Sequence, residues 1–586
     1  MSVLDNEKPF SARKMIKKYV SKVFSVKTVK RRLPILQWLP TYSFGFFLQD
    51  VIAGVTVGLT AIPQGIAYAV IAGLSPEYGL YASLTCGFVY VIFGSCKDIT
   101  VGPTAILAAM VAKYVKSYSP DFAILAAFLS GVIQLALGLL HLGFLVEFIS
   151  EPVISGFTTA AALQIAAAQF KSYFGTKGSS GNYFAESVYN FIQNITTAKL
   201  WDPILATATI VMLILLKKLG EGCKRTDGFV RSTRWFVSMA RNAIVVLFGM
   251  IIAYILKVTT ANEPLELIGD IGKGLPELKP PPLSTVVGNE TLYFTDMLDV
   301  LGPQSIILPF VGILESIAIA KAFAGGAPVD ATQEFIALGL CNVVGSFAAS
   351  MPVTGSFTRT AVNHASGVQT QAGGISKCLL LIFALSVMAP TFYFIPKASL
   401  AGLILMAMYN LVDFEIFPRL WKSSKKELLF LIVTIIICLF YGLEYGILAG
   451  GLLEALVLLY TSSRPTLKVF KVENDSGDII VMSLSDRVSY SAAEHVRRAV
   501  MRALVEAGSD SVIVIDGSNL QHIDSTAASN ILTIVKEKEA NMKQVLFLNF
   551  NKDVKTMFLV TNDMCRDKFV ESPNVTELIA SFSKNV

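Results

Sequence analysis

Two short runs of the sequence combine small and hydroxyl-bearing residues with features that start a helix. The first run, at Gly102–Ala105, reads GPTA, and the second, at Gly355–Thr358, reads GSFT. Proline suits the first position of a helix because it lacks the amide hydrogen that would be unpaired there. The N-terminus of a helix presents unpaired amide hydrogens and about half a positive charge. Two such ends that face each other would form a site for an anion.

These two runs lie at matched distances from a second pair of glycines. Gly58 precedes Gly102 by 44 residues, and Gly312 precedes Gly355 by 43 residues. Each interval fits one long helix, a second helix and then a short helix that begins at the run. The alternative is that the Gly-Pro and Gly-Ser pairs only kink their helices. The matched spacing favours two repeats that each contain a broken helix.

The elements that must position these runs span a membrane. Of the 586 residues, 53% are hydrophobic and 16% are charged, below the roughly 25% charge of soluble domains. About fourteen apolar segments lie between residues 50 and 462. The segments at 103–117 and 357–368 are shorter than the roughly 20 residues that a crossing needs, so each should begin inside the bilayer. Seven segments in each half give the halves opposite orientations, as in inverted-repeat transporters.

Charge on the loops predicts the orientation of these segments. Residues 1–49 form a basic N-terminal segment, which should lie in the cytosol. The loop at 217–241 is also basic, whereas the loop at 258–298 is acidic and should face outside. Asn289 lies in this outer loop and Asn194 in an earlier one, each in the glycosylation pattern Asn-X-Thr. An even number of crossings returns the C-terminus to the cytosol.

The composition changes after Arg464 to that of a soluble domain. Three β-rich runs alternate with helical patterns, at 479–482, 511–516 and 545–549. Strands that alternate with helices indicate a small α/β layered domain. The expected domains are therefore the basic segment at 1–49, a transmembrane domain at 50–462 and a cytosolic α/β domain at 463–586.

Several runs resemble the motifs of a known transporter family. The stretch from Gly58 to Ala69, GLTAIPQGIAYA, is similar to the first-span signature of the sulfate permease family, also called solute carrier family 26. Asp330–Glu334, DATQE, is similar to its DxNQE-type stretch, with Thr332 in place of Asn. Thr354–Asn363, TGSFTRTAVN, resembles its tenth-span motif, and the soluble tail resembles its STAS domain. The short tail is most similar to the branch of sodium-independent sulfate anion transporters.

The resemblance implies a polytopic helical fold of fourteen segments in a 7+7 inverted repeat. A core domain, made of the first four segments of each half, would carry the anion and slide against a gate domain in an elevator-type mechanism. The resemblance also implies a homodimer with STAS contacts in the plasma membrane, with a lysosomal or other endomembrane location as the alternative. The implied substrates are sulfate, chloride, bicarbonate and oxalate, moved by exchange or together with protons.

The motifs single out residues that would hold the anion. Gln64 can offer its amide hydrogens to an oxyanion without adding a fixed charge, or it could only bond a neighbouring helix. The two helix starts would add backbone amides and hydroxyl groups, and Phe357 would form an apolar wall. The expected binding residues are Gln64, Thr104, Ala105, Ser356, Phe357 and Thr358.

Two charged residues should set the electrostatics of this site. Arg359 adds positive potential, either by touching the anion or while it pairs with a helix-end carbonyl or a carboxylate. Glu315, three residues after Gly312, would repel sulfate unless it is protonated. The hypothesis is that Glu315 takes up a proton together with sulfate. The alternative is that Glu315 only pairs with Arg359 or Lys321.

Other classes of function have less support. The seven cysteines are scattered singly and the four histidines are isolated, so no disulfide scaffold, metal site or cofactor is expected. No nucleotide loop or catalytic triad is visible, so an enzyme is not expected, and the basic residues lie beside membrane spans rather than on a nucleic-acid-binding domain. Two alternatives remain, an uncoupled anion channel or voltage-responsive motor on the same fold, and a membrane scaffold that signals through its tail. In that tail, Asp524 and Ser525 could form a phosphorylated turn or only cap a helix.

Overall fold

The fold is described from a computed structural model, which divides after Gly451 into two units. The described residues are 30–144, 150–178, 181, 183–222, 228–260, 264–269, 272, 274–324, 328–465, 467–472, 479–484, 486–506, 512–539, 545–561 and 563–571. Most of the basic N-terminal segment therefore lies outside the described residues, as do Lys224 and Arg225 of the basic loop.

The first half of the membrane unit contains nine described helices of eight or more residues. They are α1 (Phe44–Ala72), α2 (Pro76–Phe93), α3 (Ala105–Ser117), α4 (Asp121–Leu139), α5 (Glu151–Phe174), α6 (Phe184–Asn194), α7 (Trp201–Leu219), α8 (Gly228–Met239) and α9 (Arg241–Thr260). Seven of them correspond to the apolar segments expected from the sequence. The short helices α6 and α8 were not expected.

The second half has the same number of described helices of that length. They are α10 (Phe294–Leu301), α11 (Gln304–Phe323), α12 (Ala331–Ser346), α13 (Phe357–Ala365), α14 (Gly373–Phe383), α15 (Lys397–Tyr409), α16 (Ile416–Ser423), α17 (Lys425–Tyr441) and α18 (Leu443–Ser463). Again seven match expected segments, and the short helices α10 and α16 were not expected. The chain after α14 stays helical through Phe394.

Length and composition decide which of these helices can cross a membrane unaided. Seven helices within the described ranges are long and apolar enough: α1, α4, α5, α9, α11, α14 with its continuation to Phe394, and α18. The remaining spans are shorter or less apolar, and several of them are covered by other helices. The structure thus has fourteen helices at the expected segments, arranged as two sets of seven.

Local signals at the ends of α1 explain its bounds. The Ser43 side chain accepts a hydrogen bond from the amide of Phe46 at 3.3 Å, which satisfies one of the free amides of the first turn. Gly73 ends the helix with φ at 79°, a conformation that glycine adopts without steric cost. Pro76 then opens α2 at a position where a missing amide hydrogen costs nothing.

Small residues allow the core helices to approach closely. A Cβ atom placed on Gly131 of α4 would lie 2.8 Å from the carbonyl oxygen of Gly339 in α12. A Cβ atom on Gly339 would in turn lie 2.6 Å from the amide of Leu135. Any larger side chain would push the two helices apart, so α4 and α12 pack backbone to backbone, as small residues permit in membrane bundles.

Within the described residues, four short strands accompany the membrane helices. They are β1 (Val101–Gly102), β2 (Ser284–Val287), β3 (Glu290–Tyr293) and β4 (Thr354–Gly355). Strands β2 and β3 form an antiparallel hairpin in the acidic loop, with Asn289 in its turn. Strands β1 and β4 pair with each other although they belong to different halves of the chain.

The second unit contains a layered α/β fold, as the sequence predicts. Its five-stranded sheet has the order β11-β10-β8-β6-β5, in which β5 (Lys468–Val472) runs antiparallel to β6 (Ile479–Ser483). The other pairings are parallel, between β6, β8 (Val512–Asp516), β10 (Val545–Leu548) and β11 (Phe569–Val570). The short strands β7 (Arg487–Val488) and β9 (His522–Ile523) pair separately. Besides the last turns of α18, the described helices of eight or more residues in this unit are α19 (Tyr490–Glu506), α20 (Ser525–Glu539) and α21 (Lys552–Thr561).

Candidate anion-binding site

The two short runs singled out in the sequence meet at one point of the structure. Strands β1 and β4 pair antiparallel, with Val101 opposite Gly355 and Gly102 opposite Thr354. Strand β1 leads into α3 and β4 leads into α13. Because the strands run in opposite directions, the N-terminal ends of the two helices flank this crossing and point toward it. The structure thus brings together the starts of the two short helices, which the sequence predicts to face each other.

The bounds of both short helices differ from the prediction. The first begins at Ala105, with Thr104 as its extended N-cap residue, so Pro103 lies in the lead rather than at the first helical position. The first intrahelical bond goes from the Ala108 amide to the Thr104 carbonyl at 3.0 Å, whereas the Pro103 carbonyl accepts from the Arg359 guanidinium at 2.8 Å. The second helix ends at Ala365 rather than at residue 368.

Gln64 reaches the start of the second short helix from α1. Its side chain is 1% exposed, and its amide nitrogen lies 3.3 Å from the hydroxyl of Thr358, to which it donates. The hydroxyl groups of Ser356 and Thr358 are 3.4 Å apart. The amide oxygen of Gln64 has no hydrogen-bond partner within the described ranges. The structure therefore brings together three of the expected binding residues from two helices distant in sequence.

Thr104 and Ala105 are buried at the start of the other short helix. The hydroxyl of Thr104 donates to a carboxylate oxygen of Glu315 at 3.3 Å. Among the described residues, Glu315 forms no ion pair within 4 Å with Arg359 or Lys321. The alternative in which Glu315 only neutralises a cation therefore has no direct contact to support it.

Arg359 lies behind the crossing rather than in an open cavity. It is 1% exposed, and one guanidinium nitrogen bonds the Pro103 carbonyl while the other has no partner in the part of the chain described. The expected alternative to anion contact was a helix-end carbonyl or a carboxylate, whereas the observed acceptor is a carbonyl of the extended segment before α3. The charge still lies next to the N-terminus of α3, where it adds positive potential.

A cavity of about 410 Å³ opens onto the second short helix. Its α13 side includes Phe357, which is 48% exposed, and Thr358. Its opposite side is lined by residues of helices from the expected gate domain and by the basic loop: Lys217, Gly220, Glu221, Ser238, Met239, Arg241, Ala407, Asn410 and Leu411. A recess of about 40 Å³ shares several of these residues and reaches Gln64. The cavity thus connects the basic loop to the start of α13.

Sequence reasoning missed the gate side of this cavity. Lys217 and Arg241 line it, but in the sequence they served only as evidence of loop orientation. Asn410 also lines it and carries no motif. The signal that could have identified Lys217 and Arg241 is a basic residue at the end of a span that faces the cavity. Neither residue lies within one of the motifs. Thr104 and Ala105, by contrast, line neither of these two cavities.

The DxNQE-type stretch has a structural role away from the crossing. Asp330 caps α12 by accepting from the Gln333 amide at 3.1 Å. The Gln333 side chain donates to the carbonyl of Phe93 at 2.8 Å, and the buried Glu334 carboxylate accepts from the Ser95 amide at 3.2 Å. These contacts fix the C-terminal end of α2, from which the chain runs on to β1.

The chain is similar to known proteins over most of its length. The profile of the sulfate permease family matches residues 47–465, and that of the STAS domain matches residues 472–562. The chain belongs to the sulfate permease family. It is therefore a membrane transporter of anions and not an enzyme, and its second unit is a STAS domain.

Three members of the wider group show how far the likeness extends. The sodium-independent sulfate anion transporter of Bos taurus is 38% identical over 527 residues, which cover 88% of this chain and 85% of the relative. Prestin of Danio rerio is 30% identical over 477 residues, covering 76% of this chain and 62% of prestin. The solved structure of the murine solute carrier 26 family member A9 anion transporter in the inward-facing state matches with a TM-score of 0.83 and 21% identity. That match covers 97% of this chain and 98% of the other, and shows that the fold is shared.

Proposed function

We propose that this protein carries sulfate across a membrane by elevator-type alternating access. The observation that carries the proposal is the antiparallel pairing of β1 and β4, which brings the N-terminal ends of α3 and α13 to one crossing beside Gln64. Free amides at helix starts bind anions without a fixed charge on the protein, so the bound anion can be released again.

Sulfate is the substrate that the comparisons favour. The relative from Bos taurus is named as a sulfate anion transporter and covers most of this chain. Helix-end amides and hydroxyl groups recognise charge and size more than chemical identity. We therefore include chloride, bicarbonate and oxalate as further anions that the same site would accept.

The cavity beside α13 supports a movement of core against gate. One wall belongs to α13 of the expected core domain, and the other belongs to α7, α9 and α15 of the expected gate domain. Sliding of the core would carry the crossing, with its bound anion, from this cavity toward the opposite membrane face. Lys217 near the end of α7 and Arg241 at the start of α9 bound the basic loop assigned to the cytosol, so we take the cavity as access from the cytosolic side.

Two coupling modes fit the site, exchange for a second anion and co-transport with a proton. Glu315 favours the second mode. It lies in contact with Thr104 at the start of α3, and no described cation pairs with it within 4 Å. A carboxylate beside a doubly charged anion is repulsive, whereas the protonated acid is not. A proton on Glu315 neutralises its carboxylate. The site with sulfate bound then carries the same total charge as the site with a singly charged anion beside the charged carboxylate.

Family membership also supports proposals about assembly and location. We propose a homodimer with STAS contacts in the plasma membrane, with both termini cytosolic. The proposed organisation is a basic segment at residues 1–49, an anion-transport domain at 50–462 and a cytosolic STAS domain at 463–586. Asp524 caps α20 by accepting from the Ala527 amide at 2.8 Å, so this turn has a structural role whether or not Ser525 is phosphorylated.

Glycosylation is proposed at Asn289. Its side chain lies in the exposed turn between β2 and β3, where a glycan has free space. Asn194 ends α6, and its side-chain amide already donates to the Asn190 carbonyl at 2.8 Å. A nitrogen held in that bond is a poorer acceptor, so Asn289 is the stronger of the two candidates.

Uptake of radiolabelled sulfate into liposomes that contain the purified full chain tests the function. Saturable uptake above that of empty liposomes is expected, driven by an inward proton gradient or by internal chloride. Uptake equal to that of empty liposomes would contradict sulfate transport. Large chloride currents that reverse independently of the sulfate gradient would instead support the uncoupled channel or motor.

A further inference from the structure

A second buried cation lies next to the crossing, and no motif marks it. Lys377 belongs to α14, is 3% exposed, and donates from Nζ to the carbonyl oxygen of Val101 at 3.1 Å. Val101 is the first residue of β1, so Lys377 contacts the backbone that leads into α3. Ionisable residues inside membrane helices are costly and usually mark a functional site.

The surroundings of Lys377 leave its charge without an ionic partner. Within the described ranges, no carboxylate lies within 4 Å of its nitrogen. Gly87 of α2 provides the space, since a Cβ atom there would lie 3.1 Å from Cε and 3.3 Å from Nζ of Lys377. Because no ion pair neutralises this charge, its electrostatic potential acts on other groups nearby.

Lys377 and Arg359 contact the same stretch of backbone in the same way. Lys377 donates to the carbonyl of Val101, and Arg359 donates to the carbonyl of Pro103 two residues later. Each carbonyl shares a peptide group with the next amide along the chain, so a cation at the carbonyl end polarises that amide toward greater positive charge. The amide polarised by Arg359 is that of Thr104, at the start of α3. Lys377 polarises the amide of Gly102 in the strand that leads to the helix, so the two cations act on neighbouring parts of the crossing.

We propose that Lys377 is a specificity-determining residue that favours doubly charged over singly charged anions at the crossing. This inference rests on the proposed anion transport. Three residues of extended chain separate Val101 from Thr104, about 10 Å. At that separation and an effective dielectric constant of about 20, one positive charge favours the second negative charge of the anion by roughly 15-fold. Removing it weakens the binding of sulfate more than that of chloride.

Two substitutions separate the charge of Lys377 from its hydrogen bond. Lys377→Gln removes the charge but keeps a side-chain donor, and Lys377→Met removes both. Lys257→Gln is the matched control, because Lys257 is also a membrane-helix lysine, and its Nζ donates to the hydroxyl of Tyr393 at 3.1 Å rather than to the crossing. Each full-length variant is reconstituted in liposomes after its thermal unfolding midpoint is measured.

The measured quantity is the ratio between the KM for sulfate uptake and the inhibition constant of chloride against that uptake. We expect Lys377→Gln and Lys377→Met to raise this ratio by roughly 15-fold, with Lys257→Gln unchanged. Equal weakening of both anions, or a shift with Met and none with Gln, would overturn the proposal, because the hydrogen bond rather than the charge would then matter. If the Met variant does not fold, the Gln variant decides.

Failure of the proposed function gives a different result. If the wild-type protein transports chloride but not sulfate, sulfate transport is wrong, and Lys377 is tested by inhibition of chloride uptake. Weaker inhibition by sulfate in Lys377→Gln, with unchanged inhibition by the singly charged nitrate, would support the proposal. Equal change for both inhibitors, or no inhibition of the wild type by sulfate, would overturn it.

Discussion

The backbone amide of Ser356 donates to the carbonyl oxygen of Thr100 at 3.1 Å. This hydrogen bond extends the backbone pairing of β1 and β4, which comprises two residue pairs, by one further contact. The amide of Thr100 in turn donates to the hydroxyl of Thr360 in α13 at 3.2 Å. The two broken helices are therefore tied together by backbone, although they lie in opposite halves of the chain. These ties favour movement of the two helix starts together, as the proposed elevator-type mechanism requires.

Added volume at the crossing should stop transport. A Cβ atom on Gly102 would lie 3.0 Å from the guanidinium nitrogen of Arg359 that bonds Pro103, so Gly102→Ala displaces that group. We expect sulfate uptake to fall at least about tenfold, with stability lowered by about 1–3 kcal/mol. Gly451→Ala is the matched control, since a Cβ atom there meets nothing within 4 Å among the described residues. Normal uptake by Gly102→Ala would show that the packing of Arg359 against the lead is dispensable.

The amide of Gln64 should matter for binding. Gln64→Ala removes its donor and should raise the KM for sulfate about fivefold, the equivalent of about 1 kcal/mol for one hydrogen bond. Gln64→Glu has nearly the same shape but adds a negative charge, and should raise the KM by more than the alanine variant. Concentration dependence of radiolabelled uptake checks both values. A wild-type KM for sulfate in Gln64→Glu would show that Gln64 is not part of the anion site.

Proton coupling should depend on Glu315. At high pH its carboxylate is charged and repels sulfate, so wild-type uptake should rise as the pH on the loading side falls. In Glu315→Gln the side chain is neutral at every pH, and uptake should lose this dependence. Glu221→Gln is the control, because Glu221 lines the cavity but does not belong to the crossing. Persistent acid activation in Glu315→Gln would contradict the proposed role.

One glycan should depend on the β2–β3 hairpin. Expressed in a cell that glycosylates membrane proteins, Asn289→Gln should migrate faster on a gel, by the mass of one glycan, and should no longer respond to a glycosidase. Asn194→Gln should migrate as the wild type, because its amide is already engaged by Asn190. The reverse pattern would contradict the preference for Asn289 over Asn194.

The crossing itself could be predicted from sequence because it repeats. Matched spacing of Gly58 to Gly102 and of Gly312 to Gly355 locates both broken helices, and a Gly-Pro or Gly-Ser pair marks each start. The exact start of α3 could not be predicted, because the Pro103 carbonyl is bonded by Arg359, 256 residues away. No local pattern records such a contact.

Other parts of the structure are harder to predict from the sequence. The short helices α6, α8, α10 and α16 lie among polar loops, where an apolar count finds no span. Lys377 is a single charge in an apolar segment, and its partner Val101 is 276 residues distant. Its importance follows only once the fold places α14 beside β1.

The most direct test is a cryo-electron microscopy structure of the full chain with sulfate, compared with one in which sulfate is replaced by gluconate. We predict sulfate-dependent density at the crossing, about 3 Å from backbone amides at the starts of α3 and α13 and beside Gln64. Density found only at Lys217 and Arg241, or α3 and α13 starting apart from each other, would contradict the account.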